Sequence, residues 1–431
     1  MTTTMSPTTA RSESPRLLDK APPWALLAAT MFLIAWGGNQ FTPLLVFYSG
    51  EGIDKVVVNS LLFAYVVGIV PALAISAPLS DKLGRRPIAL PAPWIGIAGS
   101  VFLAIGGDAP LMLGIGRVLC GVALGIAMAV GGSWLKEVSS PPYDLAADGL
   151  AGARRQGLAL TAGFAVGAAV AGVLAQWAPA PHVLPYLVHI VISIPFALAL
   201  NAVPETLERR TPASTPENDG GVTAAGTADK PAPIATHFAA PRFLLVVALT
   251  APWVFGTAGV AYAIIPGQLA DNVQSAPVAF SALLCVLTLG SGFVVQQLAR
   301  RIYIPGSIIL AKLTYALILV GMILAVATVL LLDSVVWSIA VGIVASIVLG
   351  SAYGMALQCG LLEVQRYAHN SNLAAFTAVF YTLAYLGFGS PMILSALSGV
   401  ASYPVMLGAG AVIAAASGIL MFVAVKMRDR R

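Results

Sequence analysis

Apolar residues run along this chain in blocks of about twenty, the length needed to cross a bilayer as a helix, with short polar breaks between them. Twelve blocks are legible. In the first half they fall at 24–46, 58–80, 88–107, 111–135, 157–179 and 183–203, and in the second at 242–265, 276–299, 305–331, 334–357, 373–398 and 403–425. Inside hydrocarbon only helices and closed barrels satisfy their backbone hydrogen bonds. The blocks are continuous, without the two-residue alternation of a barrel strand, so helices are expected. The predicted fold class is therefore an all-α membrane protein with twelve transmembrane helices in two pseudo-symmetric six-helix bundles.

The polar stretches divide the chain further. Residues 1–23 are rich in Ser, Thr and Pro and carry no cleavable signal pattern, so a disordered tail followed by a retained signal anchor is expected. Residues 204–241 have the Ala, Pro, Thr and Gly content of a flexible linker. They separate a bundle at 24–203 from one at 242–425, and 426–431 form a short tail. Basic residues gather on the side shared with the N-terminus, among them Lys82, Arg85, Arg86, Lys136, Arg154, Arg155, Arg300, Arg301 and Arg366, whereas Lys55 alone occupies a loop on the other side. The positive-inside rule then places both termini in the cytoplasm, with the chain a multi-pass protein of the plasma (inner) membrane.

Composition supports this picture and removes others. With 58% hydrophobic residues, 10% charged residues and a mean hydropathy of +0.88, the chain is too apolar for a soluble domain. The net charge of +5 is scattered over many short loops without aromatic interleaving, which argues against a nucleic-acid partner. Cys120, Cys285 and Cys359 lie within apolar blocks without metal-ligand spacing. No metal or cofactor is expected, and no Gly-x-x-x-x-Gly-Lys-[Ser/Thr] motif signals nucleotide use. No Ser/His/Asp, Cys/His or paired-carboxylate constellation suggests an enzyme.

One loop concentrates charge: Ala77-Pro-Leu-Ser-Asp81-Lys82-Leu-Gly84-Arg85-Arg86-Pro87. Asp81 ends a helix, where a carboxylate opposes the helix dipole unless paired. Gly84 permits a tight turn, and Arg85 and Arg86 can clamp acidic groups or helix carbonyls. A shift of 215 residues lays Gly292 to Arg301 over Ala77 to Arg86, keeping the arginines and losing the acid. Gly121 and Gly125 in the fourth block are likewise echoed by Gly350 and Gly354 in the tenth. Parallel repeats of this kind place a substrate path at the repeat interface.

The loop resembles the signature between the second and third helices of the major facilitator superfamily, Gly-x-x-x-Asp-[Arg/Lys]-x-Gly-[Arg/Lys]-[Arg/Lys]. Asp81, Lys82, Gly84, Arg85 and Arg86 match it, and Ala77 stands where glycine is usual. The resemblance implies a gating latch that holds the two halves together in one state and breaks when they rock. Leu113-Gly-Ile-Gly-Arg117-Val-Leu-Cys120-Gly121 is similar to the family's fourth-helix pattern, with Cys120 in place of glutamine. In proton-coupled members this arginine is implicated in coupling. Gly163-Phe-Ala-Val-Gly167-Ala168-Ala-Val-Ala171-Gly172 looks like the antiporter motif of the fifth helix, with Ala168 replacing its proline. Together with Pro204-Glu205-Thr206-Leu207 it leans towards the twelve-span drug:proton antiporter branch.

Several membrane-embedded residues are candidates for coupling or substrate contact. Arg117 lies about 9 Å from the outer end of its helix at 1.5 Å per residue, and an intramembrane arginine is a functional-site candidate by default. Trp36, Asn39, Gln40 and Pro43 share a face of the first helix, so Asn39 or Gln40 is expected near Arg117, lining a cavity. The alternative for these residues is interhelical glue, and for Arg117 a charge bonded to helix carbonyls. No Asp or Glu occupies the middle of a block; His189 is the one mid-membrane histidine, either a proton carrier or a packed, hydrogen-bonded residue, and Asp54 sits near the outer mouth. In the second half Trp253, Tyr262, Tyr353, Gln358, Tyr381 and Tyr385 are candidates for a substrate-facing surface or for plain packing.

Three functions fit: a secondary transporter exporting a small amphipathic compound in exchange for protons, an importer or facilitator of a small metabolite, anionic or neutral, and a non-transporting sensor on the same fold. The expected partners are a small-molecule substrate, protons and the lipid bilayer, for a monomeric protein.

Overall fold

The computed structural model describes residues 21–207, 243–304, 307–367 and 373–428. The expected tail over 1–20, the linker from 208 to 241 and residues 429–431 lie outside the described residues. The described chain is helical throughout, without strands. Eleven helical spans are long and apolar enough to cross a membrane, counting short π and 3-10 segments inside them: α2 (Lys55–Leu83), α3 (Arg85–Gly106), α4 (Pro110–Val138), α5 (Ala151–Trp177), α6 (Leu184–Ala202), α7 (Val246–Val273), α8 (Pro277–Ile302), α9 (Ile309–Leu330), α10 (Val335–Arg366), α11 (Phe376–Leu397) and α12 (Tyr403–Val423). Helix α1 (Pro23–Asn39) has 17 residues, about 26 Å at 1.5 Å per residue. That falls short of a hydrocarbon core of about 30 Å. Its line is broken by the turn at Gln40–Pro43 and resumes in a short helix, Leu44–Gly50.

Packing follows where small residues let backbones approach, as expected when lipid tails offer no hydrophobic contrast between helices. Helix α4 lies on α2, where a Cβ on Gly121 would run into the Tyr65 carbonyl oxygen and one on Gly125 would stand 2.6 Å from that of Ile69. Helix α10 lies on α8 in the same manner, Gly350 against the Thr288 carbonyl and Gly354 against that of Gly292. The two glycine pairs that echo in sequence thus occupy corresponding contacts. Gly163 and Gly167 seat α5 on α1 at the carbonyls of Phe32 and Trp36, and Gly172 meets Ala282 of α8.

Further contacts join α3 to α4 and α6, α9 to α10 and α12, and α7 to α10 and α11. Residues 21–207 meet residues 243–428 mainly where α5 packs on α8 and α2 on α11. One apolar core fills the first stretch and takes in Tyr262, Cys285, Tyr385 and Phe388 of the second. Another lies wholly within the second.

Two spans carry a π segment at mid-length. A π segment at Ala127–Gly131 interrupts α4 and another at Val260–Ile264 interrupts α7. Such segments widen the helix by a residue per turn and are frequent at functional sites. They bring Met128 and Tyr262 to the region where the two stretches meet.

Candidate functional site

At the end of α2 the backbone turns on Gly84, with φ +106° and ψ 160°. This left-handed region favours glycine. The turn opens the first helical turn of α3, whose leading amides have no partner within the helix. Glu205, from the segment after α6, supplies one: its carboxylate accepts from the N–H groups of Arg85 at 3.0 Å and Arg86 at 2.9 Å. It also accepts from the N–H groups of Thr206 and Leu207, both at 3.0 Å. Burial raises the Glu205 pKa, but the bonds from Leu207, Arg86, Arg85 and Thr206 outweigh it and hold the carboxyl below its ordinary value. Arg86 in turn donates to the carbonyl of Asn201 at 2.8 Å.

Arg85 is the centre of a charge cluster on the same face. It pairs with Asp81 one turn back and with Glu137 at the end of α4, 3.1 Å away, and donates to the Ser80 hydroxyl at 2.9 Å. The Thr206 hydroxyl closes the ring by donating to Glu137. Sequence reasoning placed the cations and Asp81 but missed Glu137 and the capping role of Glu205. Residues 204–207, expected to begin a linker, are fastened here, with the Trp134 indole donating to the Pro204 carbonyl at 2.9 Å. The side chain of Asp81 is 65% exposed, and its ion pair is made within its own loop. The cluster therefore joins α2, α3, α4 and the end of α6, all from the first stretch.

The corresponding place in the second stretch is plainer. Ala299 stands where Gly84 does and is fully buried inside an unbroken α8, which runs on through Arg300 and Arg301. Arg300 donates to the Gln358 carboxamide oxygen at 3.2 Å. Gln358, expected on a substrate-facing surface, is thus engaged with the repeat's arginine. Trp253 is partly buried against the core of the second stretch and stands apart from the aromatic cluster described below.

Arg117 is buried in mid-membrane. Its guanidinium donates to the carbonyls of Gly38 at 2.7 Å and Leu61 at 3.2 Å, and lies 4.2 Å from the Tyr65 ring centroid and 5.0 Å from that of Phe41. Among the described residues no carboxylate pairs with it. Carbonyl dipoles and aromatic faces are its compensation. Gly38 and Phe41 flank the two polar residues expected beside it, and those turn elsewhere. Asn39 donates to the Phe164 carbonyl at 3.0 Å and to Cys285 Sγ at 3.4 Å, and accepts from Thr42. Gln40 donates to Ser100 at 2.9 Å.

From Gln40 a polar chain continues into the first stretch. Ser100 accepts from Gln40 and lies 2.9 Å from His189 Nδ1, and His189 Nε2 donates to the Leu33 carbonyl, which can only accept, at 2.9 Å. Ser193 lies 3.1 Å from the same nitrogen. Both ring nitrogens therefore have hydrogen-bond partners, with Nε2 carrying a proton. Trp36 lies 6.4 Å from the His189 ring, and its buried Nε1 has no partner, as is true of Tyr65 Oη and Gln40 Oε1. Asp54 caps α2, accepting from the amides of Val56 and Val57 at 2.8 and 3.3 Å.

Four of the sequence-selected tyrosines do come together. Phe255 stacks on Tyr385 at 4.6 Å and on Phe388 at 4.5 Å, Tyr381 stacks on Tyr385 at 6.2 Å, and Tyr353 and Tyr262 close the cluster against Phe255 and Phe388. Phe255 and Phe388, its centre, were not singled out from sequence. The available signal was helical spacing: Phe255 shares a face of α7 with Tyr262, and Phe388 follows Tyr385 by about one turn on α11. Tyr385 donates to Met128 Sδ of α4 at 3.2 Å, so this surface faces the first stretch.

Hydrogen bonds across the contact between the two stretches have a consistent location. Asn59 donates to Ser395 at 2.8 Å, and Gln176 accepts from the amides of Val278 and Ala279 at 2.9 and 3.3 Å. These lie near the ends of α2 and α5 remote from the Asp81 cluster. Those from Asn39 and Tyr385 lie at mid-depth.

Comparison with solved structures defines the fold. The POT family transporter PepTSo superposes with a TM-score of 0.70 at 14% identity, covering 95% of this chain and 99% of that one. A mutant form of the nucleoside transporter NupG gives 0.67 at 10% identity, covering 93% and 99%. At such identities the likeness shows the fold, that of helical membrane transporters. The family model of the Major Facilitator Superfamily matches residues 26–391, and the chain belongs to that family. It is accordingly a multi-pass membrane protein of a transporter family, not an enzyme. A glucose transporter, GlcP of Staphylococcus epidermidis, is 33% identical over 90 residues. That match spans 21% of this chain and 19% of the relative.

Proposed function

We propose that this protein is a secondary transporter working by alternating access, which exports a small amphipathic compound across the plasma membrane in exchange for protons. Its halves are six-helix bundles at 24–203 and 242–425 joined by a cytoplasmic linker, with both termini in the cytoplasm, and it acts as a monomer. The observation that carries the substrate class is the aromatic cluster of Phe255, Tyr353, Tyr381, Tyr385 and Phe388 facing Met128 of the other half. Stacked rings with hydroxyl edges suit a planar ligand with a polar end. Proton exchange rests on the resemblance to the antiporter branch and on the absence of a nucleotide motif.

Purified protein in proteoliposomes, challenged with planar amphipathic dyes under an imposed pH gradient, tests the reading. Dye movement coupled to proton flux is expected, with Tyr385→Ala cutting it at least tenfold. Dye movement without proton flux would refute the exchange, and no movement of any dye would refute the substrate class.

One observation favours a second reading, import of an anionic metabolite. Arg117 is a buried cation whose partners are carbonyls and rings, and the Tyr65 hydroxyl, whose ring it lies over, has no hydrogen-bond partner. A carboxylate would complete that site. Carboxylate binding that vanishes in Arg117→Met and survives in Asp81→Asn supports it over dye export.

A further inference from the structure

A cavity of about 370 Å³ opens where the two halves meet, on the face opposite the Asp81 cluster. The first half contributes Lys55 and Asn59 from the opening turns of α2. The second contributes Gly267, Gln268 and Asp271 from the end of α7, and Gln274 before α8. Its chemistry differs from that of the aromatic cluster. The carboxamides of Gln268 and Gln274, each both donor and acceptor, and that of Asn59, which already donates to Ser395, match the dual character of hydroxyl groups. One cation and one anion from opposite halves sum to no net charge, which disfavours a charged ligand. Lys55 is also the single Lys or Arg that the sequence places in a loop on this face, where membrane topology gives a cation no task. At Gly267 an added Cβ would meet nothing within 4 Å, so the backbone itself borders open space.

We propose that this cavity is a binding site for a small, net-neutral, hydroxyl-rich solute, and that the bound solute bridges the halves and holds them together on this face. A ligand that contacts both halves in one arrangement binds that arrangement better than one in which they separate, and so shifts the population towards it. Occupancy therefore slows transport while leaving the aromatic path unaltered. The bridging consequence rests on the proposed movement of the halves; the binding itself does not.

Equilibrium binding of radiolabelled glucose and mannitol to the full-length protein tests this, because polyols at high concentration stabilise most proteins without a site. Saturable binding is expected, weakened at least tenfold in Gly267→Trp, which fills the cavity, and in Asp271→Asn, which leaves its shape. Tyr385→Ala should bind as the unaltered protein does. Should Gly267→Trp fail to fold, Asp271→Asn and Lys55→Met carry the test. Absence of saturable binding overturns the proposal, as does binding that survives the cavity variants or disappears in Tyr385→Ala. In proteoliposomes mannitol should slow dye flux in the unaltered protein and leave Gly267→Trp unaffected. If no dye moves, the export reading fails while the binding result still decides the site.

Discussion

The ends of α2 and α8 show how one local sequence pattern takes two structures. In the first, the chain breaks at Gly84, a new helix starts at Arg85, and the carboxylates of Asp81, Glu137 and Glu205 surround the break. In the second, Ala299 keeps the helix whole, and Arg300 rests on a neutral carboxamide. The paired arginines are common to both. The difference lies in a single glycine, in Asp81, whose counterpart is Gln296, and in acids supplied from distant positions. The first junction is held by carboxylates from three elements, the second by a continuous helix and one carboxamide.

The largest effect is expected from replacing the glycine at the first junction. Gly84→Val places a β-branched residue at φ +106° and its Cβ 2.6 Å from Glu205 Oε2, for a cost of about 3 kcal/mol. The mirror change, Ala299→Gly, costs about 1 kcal/mol, the helix propensity difference alone. Melting temperatures of the two purified variants check the ratio, and equal losses would mean that the junctions are equivalent.

Next comes the carboxylate that caps α3. Glu205→Ala leaves partly buried amides without a partner and costs about 1–3 kcal/mol. Glu205→Gln isolates the charge. Because the folded pKa of Glu205 lies below its ordinary 4.5, its contribution is present above that pH and is lost as pH falls through the folded value. Melting curves from about pH 7 to about pH 3 should show the unaltered protein losing more stability below pH 4.5 than Glu205→Gln does. Parallel curves would remove Glu205 from the account.

The smallest effects separate the arginine partners. Glu137→Gln weakens a partly buried ion pair, whose arginine keeps Asp81, and costs about 1 kcal/mol. Gln358→Ala removes a hydrogen bond from an exposed arginine to a neutral carboxamide and costs a comparable amount, about 1 kcal/mol. Salt distinguishes them, since the ion pair is screened and the amide contact is not. A Gln358→Ala loss that grows as salt is lowered would contradict the assignment.

What was legible in the sequence follows from which forces are local. Membrane-length apolar blocks located eleven of the spans, because the bilayer demands helices of that length wherever they lie. The glycine echoes were legible as well, since close approach needs small residues at fixed spacing. Gly84 and its arginines could be read as a turn. Glu137 and Glu205 could not be tied to it, because they come from residues 52 and 120 positions away along the chain. The first helix shows the opposite failure. Trp36, Asn39 and Gln40 share one face, yet Asn39 turns to α5 and Gln40 to α3, since the turn at Gln40 reorients the chain where periodicity assumed a continuous helix. The aromatic cluster was half legible: the tyrosines stood out for their hydroxyls, and the phenylalanines between them were indistinguishable from core.

The claim that solute crosses between two halves that separate and rejoin is tested most directly by tying them together where they now touch. Asn59 and Ser395 face each other across the halves at 2.8 Å, remote from Asp81. The double variant Asn59→Cys, Ser395→Cys, with the three native cysteines replaced by alanine, should transport when reduced, lose transport when its disulfide forms, and recover on reduction. Undiminished transport with the cross-link fully formed would contradict the account.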